Sequence, residues 1–183
     1  IGILQEAGHE AYAVGGCVRD IMMGGSPHDW DIAVTCTPDR TVELCSALGL
    51  KTIPTGIAHG TVTVLLPDKT PVEATTCRTD GEYNDSRHPE NVVFTGKIED
   101  DLSRRDFTVN AMAYSPYDGL SDPFEGVADA ERRIIRAVGN PYVRFDEDAL
   151  RILRGFRFSA QLDFAIDPQT FIAMHAGDYL VYY

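Results

Sequence analysis

Two carboxylates stand two residues apart in GGCVRDIMMGGSPHDWDIAV, at Asp29 and Asp31, where the chain runs into Ile32, Ala33 and Val34. On a strand, residues i and i+2 face the same side, so these side chains project together while Trp30 and Ile32 face away. Like charges at that spacing repel, and folding does not require them. Holding a divalent cation does. Hard oxygen ligands with open water positions suit Mg²⁺, and one or two such ions can activate a nucleophile and steady a leaving group. Glu73, in the apolar run PVEATT, is a candidate third carboxylate if its strand runs beside the first.

A paired aspartate alone is common on surface strands, but this one has company. Gly15 and Gly16 follow a short apolar run and precede a helical pattern, a turn whose backbone N–H groups suit phosphate oxygens; an ordinary tight turn would read the same way. Arg19 falls in the first helical turn, within reach of the same anion. Metal carboxylates beside a phosphate-cradling turn point to phosphoryl or nucleotidyl transfer.

Arginine is unevenly placed. Nine of the thirteen lie between Arg104 and Arg157. In LSRRDFTVNAMAY, Arg104 and Arg105 either bind a triphosphate or cap a helix with salt bridges. In DEDALRILRGFRF, Asp148, Arg151, Arg154 and Arg157 recur every third residue. On one helix each step of three falls ~60° short of a full turn. The first three therefore share a ~120° sector, and Arg157 points elsewhere unless the helix bends at Gly155. A solvated face with i,i+3 ion pairs fits the same spacing. If Asp148 and Arg151 read a base, Asp only accepts hydrogen bonds and Arg only donates them. Cytosine and adenine present an amino group beside a ring-nitrogen acceptor and satisfy both; guanine and uracil present a carbonyl beside an N–H and leave both unpaired, which discriminates strongly. Such a code needs no template.

The elements that must position these groups follow from patterning. AYAV (11–14) reads as a strand, VRDIMM as a helix and DWDIAVT (29–35) as a strand. Thr37-Pro38 starts a helix to about 48, and TVTVLL (61–66) with TPVEATT (70–76) forms a hairpin. CRTDGEYNDSRHPE (77–90) is a long polar loop, more often functional than idle. A helix is expected over 98–112, a turn at Tyr117-Asp118-Gly119, and from about Pro141 a helical region with Ala149, Ile152, Leu153, Phe156 and Ala160 as its apolar stripe. The whole is a mixed α/β domain over 1–135 followed by the start of a helical one over 136–183.

Composition sets the outer bounds. The 183 residues carry a formal charge of −12, which argues against wrapping nucleic acid through bulk electrostatics. No apolar run approaches membrane length. Cys17, Cys36, Cys45 and Cys77 show neither CxxC pairing nor metal-ligand spacing and read as buried, reduced thiols of a cytoplasmic protein. The opening IGILQEAGHEAYAV has no initiator Met and no charged n-region; it reads as a helix already in progress in a trimmed chain.

GGCVRD, DWDIAVT, RRDFTVNAMAY and EDALRILRGFRF, in this order, resemble the N-terminal head and the start of the neck of class II (bacterial-type) tRNA nucleotidyltransferases, the CCA-adding enzymes, whose superfamily includes bacterial poly(A) polymerase. The resemblance covers almost the whole chain. It implies an α/β (α+β) nucleotidyltransferase head with a short mixed sheet, an all-α neck, and Mg²⁺-dependent addition of C, C and A to tRNA 3′ ends from CTP and ATP, with release of pyrophosphate. By motif, Asp29 and Asp31 would hold the metal. Gly16, with its neighbour Gly15, Arg19 and Arg105 would contact the incoming nucleotide, and Asp148 and Arg151 would read its base with Arg154 and Arg157 at the same site. Glu73 falls where the broader superfamily often has a third carboxylate, whereas class II enzymes are described mainly with two. CC-adding relatives lack a flexible loop where this chain has TDGEYNDSRHP, which favours CCA or A addition; EDALR resembles CCA-adding enzymes more than poly(A) polymerases. The body and tail that would grip tRNA are not in this sequence.

Overall fold

A computed structural model describes residues 1–81 and 92–176; of the loop expected over 77–90, residues 78–80 instead form a short strand paired with 92–94, and 82–90 lie outside the described residues. In chain order the elements are α1 (Gly2–Glu6), β1 (Ala11–Val14), α2 (Gly16–Met22), β2 (Trp30–Val34), α3 (Pro38–Ala47), β3 (Lys51–Gly56), β4 (Thr61–Leu65), β5 (Pro71–Thr76), β6 (Arg78–Asp80), β7 (Val92–Phe94), α4 (Ile98–Ser103), β8 (Ala113–Ser115), β9 (Gly119–Ser121), α5 (Gly126–Arg132), β10 (Ile134–Ile135), α6 (Pro141–Glu147), α7 (Leu150–Leu162), β11 (Ala165–Ile166) and α8 (Pro168–His175).

A seven-stranded sheet has the order β3-β4-β5-β2-β1-β8-β9. Within this sheet, among the described residues, only β2 and β5 pair in parallel; β1–β2, β4–β5 and β1–β8 are antiparallel. The mixed sheet is the expected one, and its topology follows from α3, which carries the chain from β2 to the far edge so that β3, β4 and β5 return stepwise. Thr37 caps α3, accepting the Arg40 N–H with Pro38 in the first turn, as read from the sequence.

The central strands are covered on both faces, which is why AYAV is buried throughout rather than alternating. Leu4, Ala11, Ile32, Val34, Cys45, Val64 and Ala74 pack on the α1–α3 side. Tyr12, Val14, Ala33, Ile98, Leu102 and Ala113 pack on the other, beneath α4. Asp31 shares the face of Ala33. All four cysteines are buried and free.

Two expectations are corrected. The helix expected over 98–112 stops at Ser103. Asp106 Oδ1 then accepts the Phe107 N–H at 2.9 Å, and the backbone turns extended to pair with 136–138 through Thr108 N–H to Arg136 O and Val138 N–H to Asp106 O. A 3₁₀ turn at Thr108–Asn110 and strand β8 replace the rest of the helix. The stripe on α7 is also rotated. Ala149 and Ile152 are buried as expected, but Leu153 and Phe156 are 54% and 41% exposed, and Ala160 is exposed too. The helix turns Gly155 inward instead: a Cβ there would stand 2.9 Å from Phe107 Cζ and 2.3 Å from Met174 Cε. A glycine leaves no mark in an apolar pattern, so the packing face was misplaced. Phe107, Val109, Ala130, Ile135, Phe145, Ile152, Phe164 and Met174 form one core joining the sheet end to the helices.

Gly126 is the tightest approach. A Cβ would meet the Thr108 carbonyl oxygen at 2.2 Å, and a backbone atom cannot swing aside as a side chain does. Gly126→Ala is expected to lower stability by about 1–3 kcal/mol, read as a shift in urea midpoint with unchanged m-value.

Candidate active site

A cleft of about 770 Å³ is lined by Gly15, Gly16, Arg19, Asp20, His28, Asp29, Asp31, Arg104, Arg105, Asp106, Asn110, Asp148, Arg151, Arg154, Arg157, Phe158 and Gln161, among others. All the sequence-predicted residues except Glu73 therefore meet in one place. Six arginines face five aspartates there, so a chain of charge −12 still offers an anion a locally basic wall.

The first wall is the β1–α2 turn. Gly15 has φ +76°, a conformation open to glycine, and a Cβ there would approach Arg105 Nη1 to 3.0 Å. Arg19 is only 8% exposed. Its Nε and Nη2 donate to Asp20 Oδ1 at 2.9 and 2.7 Å, and its Nη1 donates to Asn110 Oδ1 at 2.7 Å.

Across the cleft, Asp101 anchors the RRD segment. Arg104 Nε and Nη2 donate to its Oδ1 at 3.0 and 2.9 Å, and Arg105 Nη2 donates to its Oδ2 at 3.0 Å. These ties close the end of α4 and fix Arg105 at the cleft wall. The buried Arg105 Nε has no hydrogen-bond partner among the described residues. Burial alone would push the Asp101 carboxyl up, but Arg105 and Arg104 more than reverse it and hold it below the ordinary aspartate value of 3.8. A carboxyl lowered on folding contributes stability above its unfolded value and loses that contribution as pH falls through the folded one. Asp101→Asn is expected to cost about 1–3 kcal/mol near neutrality. The gap from wild type should close as unfolding is measured at successively lower pH below 3.8.

Asp31 lies in β2, and Asp29 immediately precedes it. Both are exposed at the cleft. Burial by surrounding protein raises the Asp31 carboxyl above its ordinary value; Arg105 opposes the rise and the charge of Asp29 adds to it. Glu73 is the register partner of Asp31 on β5, so its strand does run beside the one that carries Asp31. It lines an adjoining hollow of about 220 Å³ with Thr61, Thr75 and Arg78, and with Asp31 and Arg105, which also line the cleft. Among the described residues no three His, Cys, Asp or Glu side chains gather closely enough to hold a metal ion by themselves.

The far wall corrects the helical-wheel expectation. Asp148 is the C-cap of α6 in an extended conformation, with its Oδ1 accepting the Leu150 N–H at 3.0 Å; α7 starts only at Leu150. The break re-aims Asp148, and Arg157 joins the same cleft rather than pointing away. Arg151 is 7% exposed. It donates to Glu147 Oε2 at 2.6 Å and to the Arg144 and Arg104 carbonyls at 3.1 Å, a post fixed from both sides. Arg154 Nε donates to Asp106 Oδ2 at 2.6 Å. The Phe158 ring gathers Arg157, Arg154 and Arg19 at 4.9, 5.3 and 5.9 Å from its centroid, cation–π contacts that hold three guanidiniums around one aromatic ring. Asp101, Asn110 and Phe158 were not singled out from the sequence; only their places inside or beside the arginine motifs could have flagged them.

A model of the poly A polymerase head domain matches residues 11–136. A CCA-adding enzyme of Streptococcus suis (strain 05ZYH33) is 52% identical over 171 residues, 93% of this chain and 41% of that protein. One from Streptococcus uberis is 49% identical over 178 residues, 97% of this chain and 43% of that protein. Among solved structures, the Bacillus stearothermophilus CCA-adding enzyme in complex with CTP superposes with a TM-score of 0.83 at 42% identity, covering 94% of this chain and 41% of that one. A tRNA nucleotidyltransferase complexed with a primer tRNA and an incoming ATP analogue gives 0.77 at 33% identity, covering 96% and 48%. The chain thus spans less than half the length of these relatives.

Proposed function

Because the chain belongs to the family defined by the poly A polymerase head domain, we propose that it is the catalytic part of a template-independent nucleotidyltransferase that adds C, C and A to tRNA 3′ ends from CTP and ATP. The observation that carries this reading is the convergence of the aspartate pair, the glycine turn and the arginines of both later motifs on one cleft. Residues 1–135 form the head and 136–183 the start of the neck in this reading. In this reading the protein works in the cytoplasm. No helix among the described residues is long and apolar enough to cross a membrane.

The donor set fits a hard divalent cation: Asp29 and Asp31 offer oxygen ligands on one face, open to solvent, with the remaining positions left for water and phosphate oxygens. They would hold Mg²⁺, which supplies charge neutralisation at the triphosphate and a lowered hydroxyl pKa. Glu73 is the candidate to join them from β5. The chain's own side chains do the positioning. Arg19 and Arg105 grip the triphosphate beside Gly15 and Gly16. Asp148 and Arg151 read the base edge, with Arg154 and Arg157 at the same nucleotide. The RNA 3′-oxygen bonds to the α-phosphorus, the bond to the β-phosphate oxygen breaks and pyrophosphate leaves. Holding the partners in line and neutralising developing charge supply most of the rate.

Equilibrium binding of the four nucleoside triphosphates tests this reading: CTP and ATP should bind at least tenfold more tightly than GTP and UTP, and equal binding of all four contradicts it. An A-adding enzyme or a poly(A) polymerase of the same superfamily is the second reading. The EDALR motif favours the CCA-adding one, and the acceptor's final sequence separates them.

A further inference from the structure

We propose that Asn110 is a positioning residue of this site, and that its neutrality keeps the charge of Arg19 available to a triphosphate; the proposal rests on the nucleotide reading given above. Asn110 closes the 3₁₀ turn Thr108–Asn110 and is 7% exposed. It serves both guanidiniums that flank the glycine turn. Its Oδ1 accepts from Arg19 Nη1 at 2.7 Å and its backbone carbonyl accepts from Arg105 Nη1 at 3.4 Å. One residue thus sets the spacing of two cations that arrive from distant parts of the chain.

The turn that carries it is braced. The Asn110 N–H donates to the Phe107 carbonyl at 2.9 Å, and Thr108 Oγ1 donates to Asp129 Oδ2 at 2.6 Å. Gly126 packs against the Thr108 carbonyl with no room for a Cβ. A fixed acceptor on a braced turn fixes the cation it holds.

Charge decides why the acceptor is an amide. Arg19 already meets one carboxylate, Asp20, at 2.7 Å. An aspartate at position 110 would accept the same hydrogen bond and strengthen it. Arg19 would then answer to two carboxylates, and a further negative charge would face the triphosphate beside Asp29 and Asp31. Such a change favours the folded state and disfavours an anionic ligand. Asparagine supplies the geometry without that charge.

The test compares Asn110→Asp and Asn110→Ala with wild type in the protein at its full natural length, by calorimetric CTP binding and by Tm. Asn110→Asp should melt at or above Asn110→Ala yet bind CTP roughly tenfold or more weakly than wild type, and more weakly than Asn110→Ala. CTP binding by Asn110→Asp within twofold of wild type overturns the proposal while leaving the nucleotide reading in place. Parallel losses of Tm and affinity in both variants also overturn it, because they mark a packing role alone. Failure of the wild type itself to bind CTP or ATP overturns the nucleotide reading and this proposal with it.

Discussion

Replacing Asp31 with alanine is expected to reduce nucleotide incorporation by about a thousandfold or more, the loss that follows when a metal site worth several kcal/mol at the transition state is removed, while the fold survives. The two halves of that expectation have separate physical grounds. Asp31 is exposed at the cleft, and among the described residues its side chain makes no hydrogen bond that its removal would orphan; Cys17 Sγ lies 3.8 Å from its backbone carbonyl, which alanine retains. Its carboxyl is raised by burial and by the neighbouring charge of Asp29 against the pull of Arg105. A raised carboxyl costs folding free energy wherever it is ionised, and that cost disappears on acidification below the unfolded value. Near neutrality Asp31→Ala should therefore melt at the wild-type temperature or slightly above it. A variant that still incorporates nucleotide within tenfold of wild type contradicts the metal role. A variant that loses activity only because it unfolds contradicts the account of its stability.

Asp148→Asn is the second large effect, and it acts through the choice of nucleotide. The Asp148 carboxylate has one oxygen committed to the Leu150 N–H at 3.0 Å, which an asparagine Oδ1 can also accept, so the break between α6 and α7 is kept. What changes is the other end of the side chain, from an acceptor to an N–H donor. In the proposed pairing, the carboxylate takes a hydrogen bond from the amino group of cytosine or adenine. An amide donor faces that group with its own kind and suits a carbonyl instead. Because buried polar groups left unpaired are strongly discriminating, transfer from CTP and ATP should fall by about a hundredfold, with UTP and GTP gaining relative to them. Arg151, held by Glu147 and by the Arg144 and Arg104 carbonyls, stays in place as the donor half. Steady-state kinetics with each nucleotide singly reads the change. Unaltered discrimination removes Asp148 from base reading.

What the sequence disclosed and what it hid divide along physical lines. The aspartate pair, the Gly15 turn and the spaced arginines are local patterns, and each is in the cleft. The hairpin of β4 and β5 follows from local signals, but its placement beside β2 is, in the sequence, only a condition attached to Glu73; the sheet meets that condition, with Glu73 the register partner of Asp31. The hidden parts depend on contacts between distant segments. Asn110 matters through Arg19, 91 positions away, and Asp106 through Arg154, 48 positions away. The helix expected over 98–112 yields because residues 106–108 find backbone partners at 136–138, which no local propensity records. Gly155 turns α7 by close packing rather than by hydrophobicity. Asp148 escapes the helical wheel because the helix begins after it, and with that break Arg157 comes to the same cleft as its neighbours.

The most direct test of the central claim is the sequence of the RNA product. The protein at full natural length, with Mg²⁺ and a tRNA lacking its three terminal nucleotides, is given all four nucleoside triphosphates, and the extended 3′ ends are sequenced. Products that stop after C, C and A are the predicted result. An unlimited run of A, or extension only of tRNA already ending in CC, contradicts it.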